Sequence, residues 1–266
     1  MSNKESTSKT IIVAFLLCIV CSIVVSASVV LLKPIQEKNK ALNLKTNILA
    51  AAGLLVDGAS ADEIETLFLT IKPQLVDLDT GEYVDPGVVG KEAALDYDQR
   101  KAAKDPALSS VLEGSLDIAS IKRRVKYAKV YLVEAKGKTE TIILPVSGYG
   151  LWSTLHGFLA LEGDANTVVG LGFYEHAETP GLGGEVDNPR WKAFWPGKKV
   201  YNLEQGDAPV IQLVKGSVDN SKPKAEYSVD GLSGATLTSR GITNLVQFWT
   251  GEQGFKKYLN RLRKEA

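Results

Sequence analysis

The sequence predicts an α+β protein in which one N-terminal transmembrane helix precedes a single domain with a mostly antiparallel sheet and flanking helices. Three patterns lead to this prediction. Residues 11–32 form an uncharged apolar run, and the segments on both sides of Lys136-Gly137-Lys138 alternate apolar and polar positions. Near the other end, apolar residues recur at helical spacing from Leu237 to Thr250.

The apolar run, Ile11 to Leu32, is long enough to span a membrane and contains no charged residue. At about 1.5 Å per residue it would cross a hydrocarbon core of roughly 30 Å. A cleaved secretory signal is the alternative, because Ser26-Ala27-Ser28 resembles a small-residue cleavage site. The apolar cores of signals are about 7–15 residues long, which favours a retained anchor here. Residues 1–10 then form a short tail before the helix.

Charge and composition argue against several classes of function. The chain has 31 basic and 31 acidic residues, so no global field attracts a nucleic acid. Both cysteines lie in the apolar run, which leaves the rest of the chain without a disulfide or a thiolate metal ligand. Because His156 and His176 are the only histidines, a multi-histidine centre is not expected either. We expect neither a nucleic-acid partner nor a metal site.

Residues 33–125 are predicted to form a membrane-proximal region of helices and a hairpin. A helix continues after Pro34 and ends at Gly58, and Ser60 with Glu63 forms a capping box that opens a second helix, closed by Pro73. A β-hairpin follows about Asp79-Thr80-Gly81. The charged segment at 91–105 is interpreted as a solvated helix or loop.

Residues 126–266 are predicted to form the core. Its strands lie on both sides of Lys136-Gly137-Lys138 and in the segments NTVVGLGFYEH and APVIQLVKG. A helix from Leu237 to Thr250 stops at Gly251, and an amphipathic helix completes the chain.

The segment before that helix is rich in glycine and hydroxyl side chains. A helix entrance presents unpaired backbone N–H groups and the positive end of the helix dipole, and Gly234 and Ala235 leave room for a bulky anion. A phosphate site is therefore one interpretation. The other is that Thr238 or Ser239 caps the helix while the remaining hydroxyls fill a turn. The pattern alone leaves both open.

The residues from Asp230 to Thr236, DGLSGAT, resemble the flavinylation motif of the covalent-FMN domain family. In that family the final threonine, here Thr236, carries FMN through a phosphoester bond, and a separate FMN transferase attaches it from FAD. The resemblance implies that Thr238 and Ser239 cap the helix and bond phosphate oxygens. The other residues that it places at the cofactor are Ser233, Gly234, Ala235 and Leu237.

Two further stretches match loops of the same family. By itself, the segment ETPGLG is either an irregular connection or a functional loop. The resemblance implies that it lies beside the isoalloxazine ring, with Leu182 on the ring, polar contacts from Glu178 and Thr179, and Pro180, Gly181 and Gly183 alongside. The stretch SGYGLWSTLHGFLAL is, by default, an apolar turn with Trp152 in the core. The resemblance implies instead that the other side of the flavin is lined by Gly148, Tyr149, Gly150, Leu151 and Trp152.

All three motifs, in this order after one N-terminal span, are similar to the C-subunit family of sodium-translocating NADH:ubiquinone reductases over nearly the whole chain. This resemblance implies that residues 126–266 are an FMN-binding core that relays electrons toward quinone. It also implies that the other subunits of a membrane-bound complex are partners, that sodium pumping belongs to the assembly, and that the chain has no complete active site of its own.

The same resemblance implies an inner-membrane protein with its flavin domain on the periplasmic side. The lysines on the two sides of the apolar run slightly disfavour export of the body, although long domains cross the membrane largely regardless of charge. Two alternatives stay open. One is the G subunit of an Rnf-type electron-transport complex, whose chains are typically shorter, and the other is a flavin-free membrane-tethered adapter.

Overall fold

A 45-residue helix, α1 (Thr7–Ala51), begins the part of the chain that the computed structural model describes, residues 7–56 and 58–265. Two compact units divide the chain, one ending at Asn43 and the other beginning at Leu44. The side chains of α1 from Ile11 to Leu32 are exposed, and the helix is long and apolar enough to cross a membrane. A signal sequence would pass the same test of length and composition.

The helix α1 ends at Ala51, so the predicted end at Gly58 is wrong. Gly53 has a φ of +69°, and the N–H of Leu54 donates to the carbonyl of Leu49. This is the left-handed glycine ending typical of helices, and it terminates α1 before the predicted glycine.

The predicted capping box at the second helix, α2 (Ala61–Phe68), is confirmed. The N–H of Ser60 donates to Glu63 Oε2 at 2.7 Å, and the N–H of Glu63 donates to Ser60 Oγ at 3.3 Å. The prediction that Pro73 closes α2 is wrong, because Pro73 lies inside the strand β1 (Ile71–Asp77). The neighbouring strand β2 (Tyr83–Val84) pairs only with Leu75 and Val76, so β1 has a free edge beside Pro73 that tolerates its missing N–H.

Both predicted hairpins are present in the main sheet. The first joins β1 to β2 through the turn at residues 78–82. The second joins β5 (Tyr127–Ala135) to β6 (Lys138–Tyr149) through Lys136 and Gly137, which both have positive φ. This two-residue connection is the kind that matches the twist of antiparallel strands. Between β2 and β5, the described chain forms α3 (Gln99–Ala102) and the strand pair β3 (Ser109–Val111) and β4 (Arg123–Val125).

The six-stranded sheet is antiparallel throughout and has the order β2-β1-β5-β6-β7-β8. Its last strands are β7 (Thr154–Glu162) and β8 (Val168–Glu175). The default interpretation of the region of β7 as an apolar turn is wrong, because β7 pairs along its length with both β6 and β8. The α+β class with a mostly antiparallel sheet is confirmed.

Two other segments differ from their predictions. The strand predicted in APVIQLVKG shrinks to β9 (Gln212–Val214), which lies outside the main sheet and pairs in parallel with β10 (Ser228–Asp230). The charged segment at 91–105 is not simply solvated, since Ala94, Tyr97 and Ala102 are buried in the core. Their alanine and tyrosine side chains cover the sheet while the charged neighbours stay in solvent.

Helices cover both faces of the sheet. On one face, α5 (Thr236–Thr250) packs so closely on β6 that a Cβ added at Gly148 would lie 2.8 Å from Leu245 Cβ. On the other face, the last turn of α1 approaches β8, where a Cβ at Gly170 would lie 2.6 Å from the Ala51 carbonyl oxygen. The short helix α4 (Pro189–Lys192) follows β8, and the amphipathic α6 (Lys256–Glu265) ends the described chain as predicted.

Candidate functional site

Three segments meet beside the ends of β6 and β8: residues 149–153, residues 176–184 and the first turn of α5. The carboxylate of Glu178 joins them. It accepts hydrogen bonds from the N–H groups of Leu151 (3.1 Å), Trp152 (3.0 Å) and Ser153 (3.2 Å), and from the hydroxyl of Thr238 (2.7 Å). The fold therefore brings all three motifs together.

The Glu178 side chain is almost completely buried, at 4% exposure. Burial by itself acts to raise the pKa of a carboxyl group, because it disfavours the charged form. Here the hydrogen bonds from Thr238, Trp152, Leu151 and Ser153 outweigh burial, so the pKa of Glu178 lies below its ordinary value. The group is therefore a buried anion, held by four donors.

The helix α5 begins without a side-chain cap, and its N-cap residue is Ala235. The prediction that Thr238 or Ser239 caps it is wrong, because both hydroxyls have partners elsewhere. Thr238 donates to Glu178, and Ser239 Oγ accepts from the N–H of Leu232 at 3.0 Å. Thr236, in contrast, is the first helical residue and is exposed. Thr236 is thus an exposed threonine at the positive end of the dipole of a 15-residue helix.

Glycine is required at positions in these segments for two different reasons. Gly234 has a φ of +71°, which an L side chain rarely adopts, and a Cβ there would lie 2.9 Å from Leu182 Cδ2. At Gly150 and Gly183 the space is taken by Glu178, since an added Cβ would lie 2.6 Å and 2.7 Å from its carboxylate oxygens. These two positions are small because they contact the buried anion.

Large apolar side chains surround this point of the surface and remain exposed. Trp152 is 66% exposed, so the default interpretation, which placed it in the core, is wrong; its backbone N–H binds Glu178 while its side chain stays exposed. The others are Tyr149, Leu151, Leu182 and Leu237, each at least 37% exposed. Exposed apolar side chains grouped around a polar anchor are typical of ligand sites.

The remaining predicted residues occupy the rims of the same segments. Thr179 is exposed, and its carbonyl accepts from the N–H groups of Leu182 and Gly184. Gly181 has a φ of +75° and lies in the same turn. Ser233 is exposed, whereas Ala235 is buried. Gly148 lies under α5 and Pro180 is exposed.

Three residues that shape the site, Ser153, His176 and Gly241, were not predicted from the sequence. The Ser153 hydroxyl accepts from the N–H of Ala177 at 2.7 Å, and His176 Nδ1 accepts from the N–H of Glu178 at 3.2 Å. The other ring nitrogen of His176 therefore carries the hydrogen and donates to Asp187 at 2.9 Å. Gly241 lets α5 approach the backbone of Tyr149. Gly241 could have been found from the sequence, because an isolated glycine inside a helical pattern indicates a position with a packing or functional role.

Similarity to known proteins agrees with this geometry. A family model described as an FMN-binding domain matches residues 150–251, which contain most of the three segments. The chain is 55% identical to the C subunit of the Na(+)-translocating NADH-quinone reductase of Pseudomonas aeruginosa over 99% of both chains. It is 42% identical to the C subunit of the same reductase of Yersinia pestis, over 99% of this chain and 96% of that one.

A solved structure matches as well. The crystal structure of Shewanella oneidensis NqrC matches with a TM-score of 0.75 and 36% sequence identity, covering 85% of this chain and 99% of that chain. Full-length identity of this size, together with the shared fold, is sufficient to assign the family. The chain therefore belongs to the C-subunit family of Na(+)-translocating NADH-quinone reductases.

Proposed function

We propose that this chain is the electron-carrying flavoprotein subunit of a Na(+)-translocating NADH-quinone reductase, with FMN joined to Thr236 by a phosphoester bond. The observation that carries the proposal is the exposed Thr236 hydroxyl at the uncapped N-terminus of α5. A phosphate ester at this position lies at the positive end of the helix dipole and next to free backbone N–H groups. The other hydroxyls of the first turn are already bonded within the protein.

The residues of the site fit the two ends of FMN. The phosphate would be held at Thr236, with Ser233 and Gly234 leaving its surroundings open. The apolar isoalloxazine ring would be covered by the exposed side chains of Leu182, Trp152 and Leu237. When bound, FMN supplies reversible electron transfer, and the chain's part is to hold and shield it. Thr179 at the rim is expected to supply a polar contact.

The attachment itself needs a separate FMN transferase and FAD. The Thr236 oxygen forms a new bond to the phosphorus atom that carries riboflavin, the pyrophosphate bond of FAD breaks, and AMP leaves. The hydroxyl proton is released, and no oxidant or reductant is consumed. A covalent tether of this kind keeps the cofactor in place even where the ring is exposed for transfer between subunits.

The membrane arrangement is part of the proposal. The apolar segment of α1 would span the inner membrane, and the unit that begins at Leu44 would lie on the periplasmic side with the other subunits as partners. Protease added to spheroplasts is expected to cleave this unit. Cleavage only after the membrane is permeabilised would place it in the cytoplasm and contradict this orientation.

Covalent flavin is tested on the full-length chain expressed with an FMN transferase. Denatured, washed protein should fluoresce under ultraviolet light, and its intact mass should include one FMN. Thr236→Ala should abolish both signals, whereas the control Ser115→Ala, at an exposed serine outside the three segments of the site, should keep them. A wild-type band that stays dark would instead favour the flavin-free adapter. The full-length match to C subunits of the reductase favours that complex over an Rnf-type complex.

A further inference from the structure

The Glu178 carboxylate lies at the centre of the candidate site, and both of its oxygens already accept hydrogen bonds from the protein. A carboxylate offers about four lone-pair sites. Oε1 accepts from the N–H groups of residues 151, 152 and 153, and Oε2 accepts from the hydroxyl of Thr238 and, at 3.3 Å, from the N–H of Leu151. The residue is also 4% exposed. We therefore expect Glu178 to bind other groups of the protein and not the flavin.

The bond from Thr238 connects this anion to the first turn of α5. Thr238 is two residues beyond Thr236 in the same turn, and its hydroxyl lies 2.7 Å from Glu178 Oε2. The opposite oxygen holds the backbone that carries Leu151 and Trp152. One side chain thus fixes the attachment residue relative to two of the apolar side chains that would cover the ring.

The neighbouring backbone is shaped to admit this carboxylate. Gly150 and Gly183 both lie against its oxygens, where a Cβ would approach within 2.6 Å and 2.7 Å. The backbone N–H of Glu178 is held in turn by His176, which is oriented by Asp187. Charge-assisted hydrogen bonds of this kind are roughly twice as strong as neutral ones, so the carboxylate is a strong link between loops that are otherwise exposed.

We propose that Glu178 is a positioning residue, which orients the first turn of α5 so that the Thr236 hydroxyl is presented for attachment of FMN. This inference rests on the proposed function. It assigns Glu178 to the protein scaffold and not to direct contact with the flavin. Loss of the carboxylate leaves the Thr236 hydroxyl present but no longer held beside residues 151–153.

Two substitutions remove the two ends of the link. Glu178→Gln keeps the volume but removes the negative charge and replaces one acceptor oxygen by an NH₂ group, so the hydrogen bonds that remain are no longer charge-assisted. Thr238→Val removes the donor and keeps the shape, whereas Thr238→Ser retains the hydroxyl. Two controls match them: Glu185→Gln, in the same loop, removes a carboxylate that accepts from Asn188, and Thr243→Val, in the same helix, removes a hydroxyl that accepts from Leu213.

The experiment measures the rate of flavin attachment to the purified full-length chain, supplied with FMN transferase and FAD. Flavin fluorescence of denatured bands is followed over time, at a temperature below the unfolding midpoint of every variant. We expect Glu178→Gln and Thr238→Val to be labelled about tenfold more slowly, the effect of losing one hydrogen bond to a charged group. Thr238→Ser and both controls should stay within about twofold of wild type.

The outcomes separate this inference from the proposed function. If the wild type takes up no covalent flavin, both fail. If the wild type is labelled, Thr236→Ala is not, and both Glu178→Gln and Thr238→Val are labelled at the wild-type rate, only the positioning role is overturned. If Glu178→Gln fails to fold, the two Thr238 variants test the positioning role. Slow flavin attachment to Thr238→Val together with a wild-type rate for Thr238→Ser supports the role, and equal rates for the two variants contradict it.

Discussion

Gly241 allows the helix that carries Thr236 to lie against the backbone of the apolar loop. A Cβ at this position would lie 2.4 Å from the Tyr149 carbonyl oxygen and 3.0 Å from Gly150 Cα. Both contacts are with backbone, which cannot rotate away as a flexible side chain can. Gly241→Ala should therefore separate α5 from the end of β6 and disturb both the fold and the candidate site.

Two opposing effects set the magnitude. Alanine is favoured over glycine inside a helix by roughly 1 kcal/mol. Overpacking against a well-packed neighbour costs about 1–3 kcal/mol, and the backbone contact at 2.4 Å places this case at the upper end. The net effect should be a loss of about 2 kcal/mol in the free energy of unfolding. For a domain of this size the unfolding midpoint should fall by about 4–8 °C.

Thermal unfolding of the full-length chain, followed by circular dichroism, measures this change. The matched control is Gly172→Ala in β8, where an added Cβ has no heavy atom within 4 Å and should leave the midpoint nearly unchanged. The proposed attachment of FMN at Thr236 should slow in Gly241→Ala and not in Gly172→Ala. A midpoint that rises in Gly241→Ala, as helix propensity alone would predict, would refute the packing argument.

The remaining predictions concern a charge and a helix cap. The pKa of Glu178 is lowered in the folded protein, because hydrogen bonds outweigh burial, so its charge stabilises the fold above the ordinary carboxyl pKa of about 4.3. That contribution is lost as the pH falls through the lowered pKa of Glu178. The difference in unfolding midpoint between wild type and Glu178→Gln should therefore become smaller in strong acid. A difference that stays constant from neutral pH downward would contradict this prediction. Ser60→Ala removes the side-chain half of the capping box with Glu63 and should cost about 1 kcal/mol. Thermal unfolding against the control Ser115→Ala, at an exposed serine far from this helix in the chain, measures this loss, and equal midpoints would show that the cap is not stabilising.

Local patterns predicted the local structure well. Ser60 and Glu63 form the expected capping box because both hydrogen bonds join residues three apart in the chain. The hairpin at Lys136-Gly137 forms because a two-residue turn with positive φ decides the pairing of its strands. The helix before Gly251 begins at Thr236, within one residue of the prediction.

Errors arose where packing overrode local preference. The sequence of β7 is typical of an apolar turn, because its glycine and small residues weaken the alternation of apolar and polar positions. It is nevertheless a strand, because it pairs with β6 on one side and β8 on the other. Pro73 reads as a helix stop but fits a strand with a free edge. Trp152 is apolar, and its pattern by itself favoured a place in the core, but its backbone N–H is bound by Glu178 and its side chain is exposed.

By itself the sequence determined the apolar run that can span a membrane, the alternation that makes the sheet, and the glycine and hydroxyl residues at the start of α5. These features depend on neighbours a few residues apart, which a pattern can record. Only the tertiary structure decided which hydroxyls are bonded and which one is exposed. Thr238 and Glu178 are 60 residues apart in the chain, and their contact exists only because the sheet brings two loops to the same helix end. That contact leaves Thr236 as the exposed hydroxyl of the first turn.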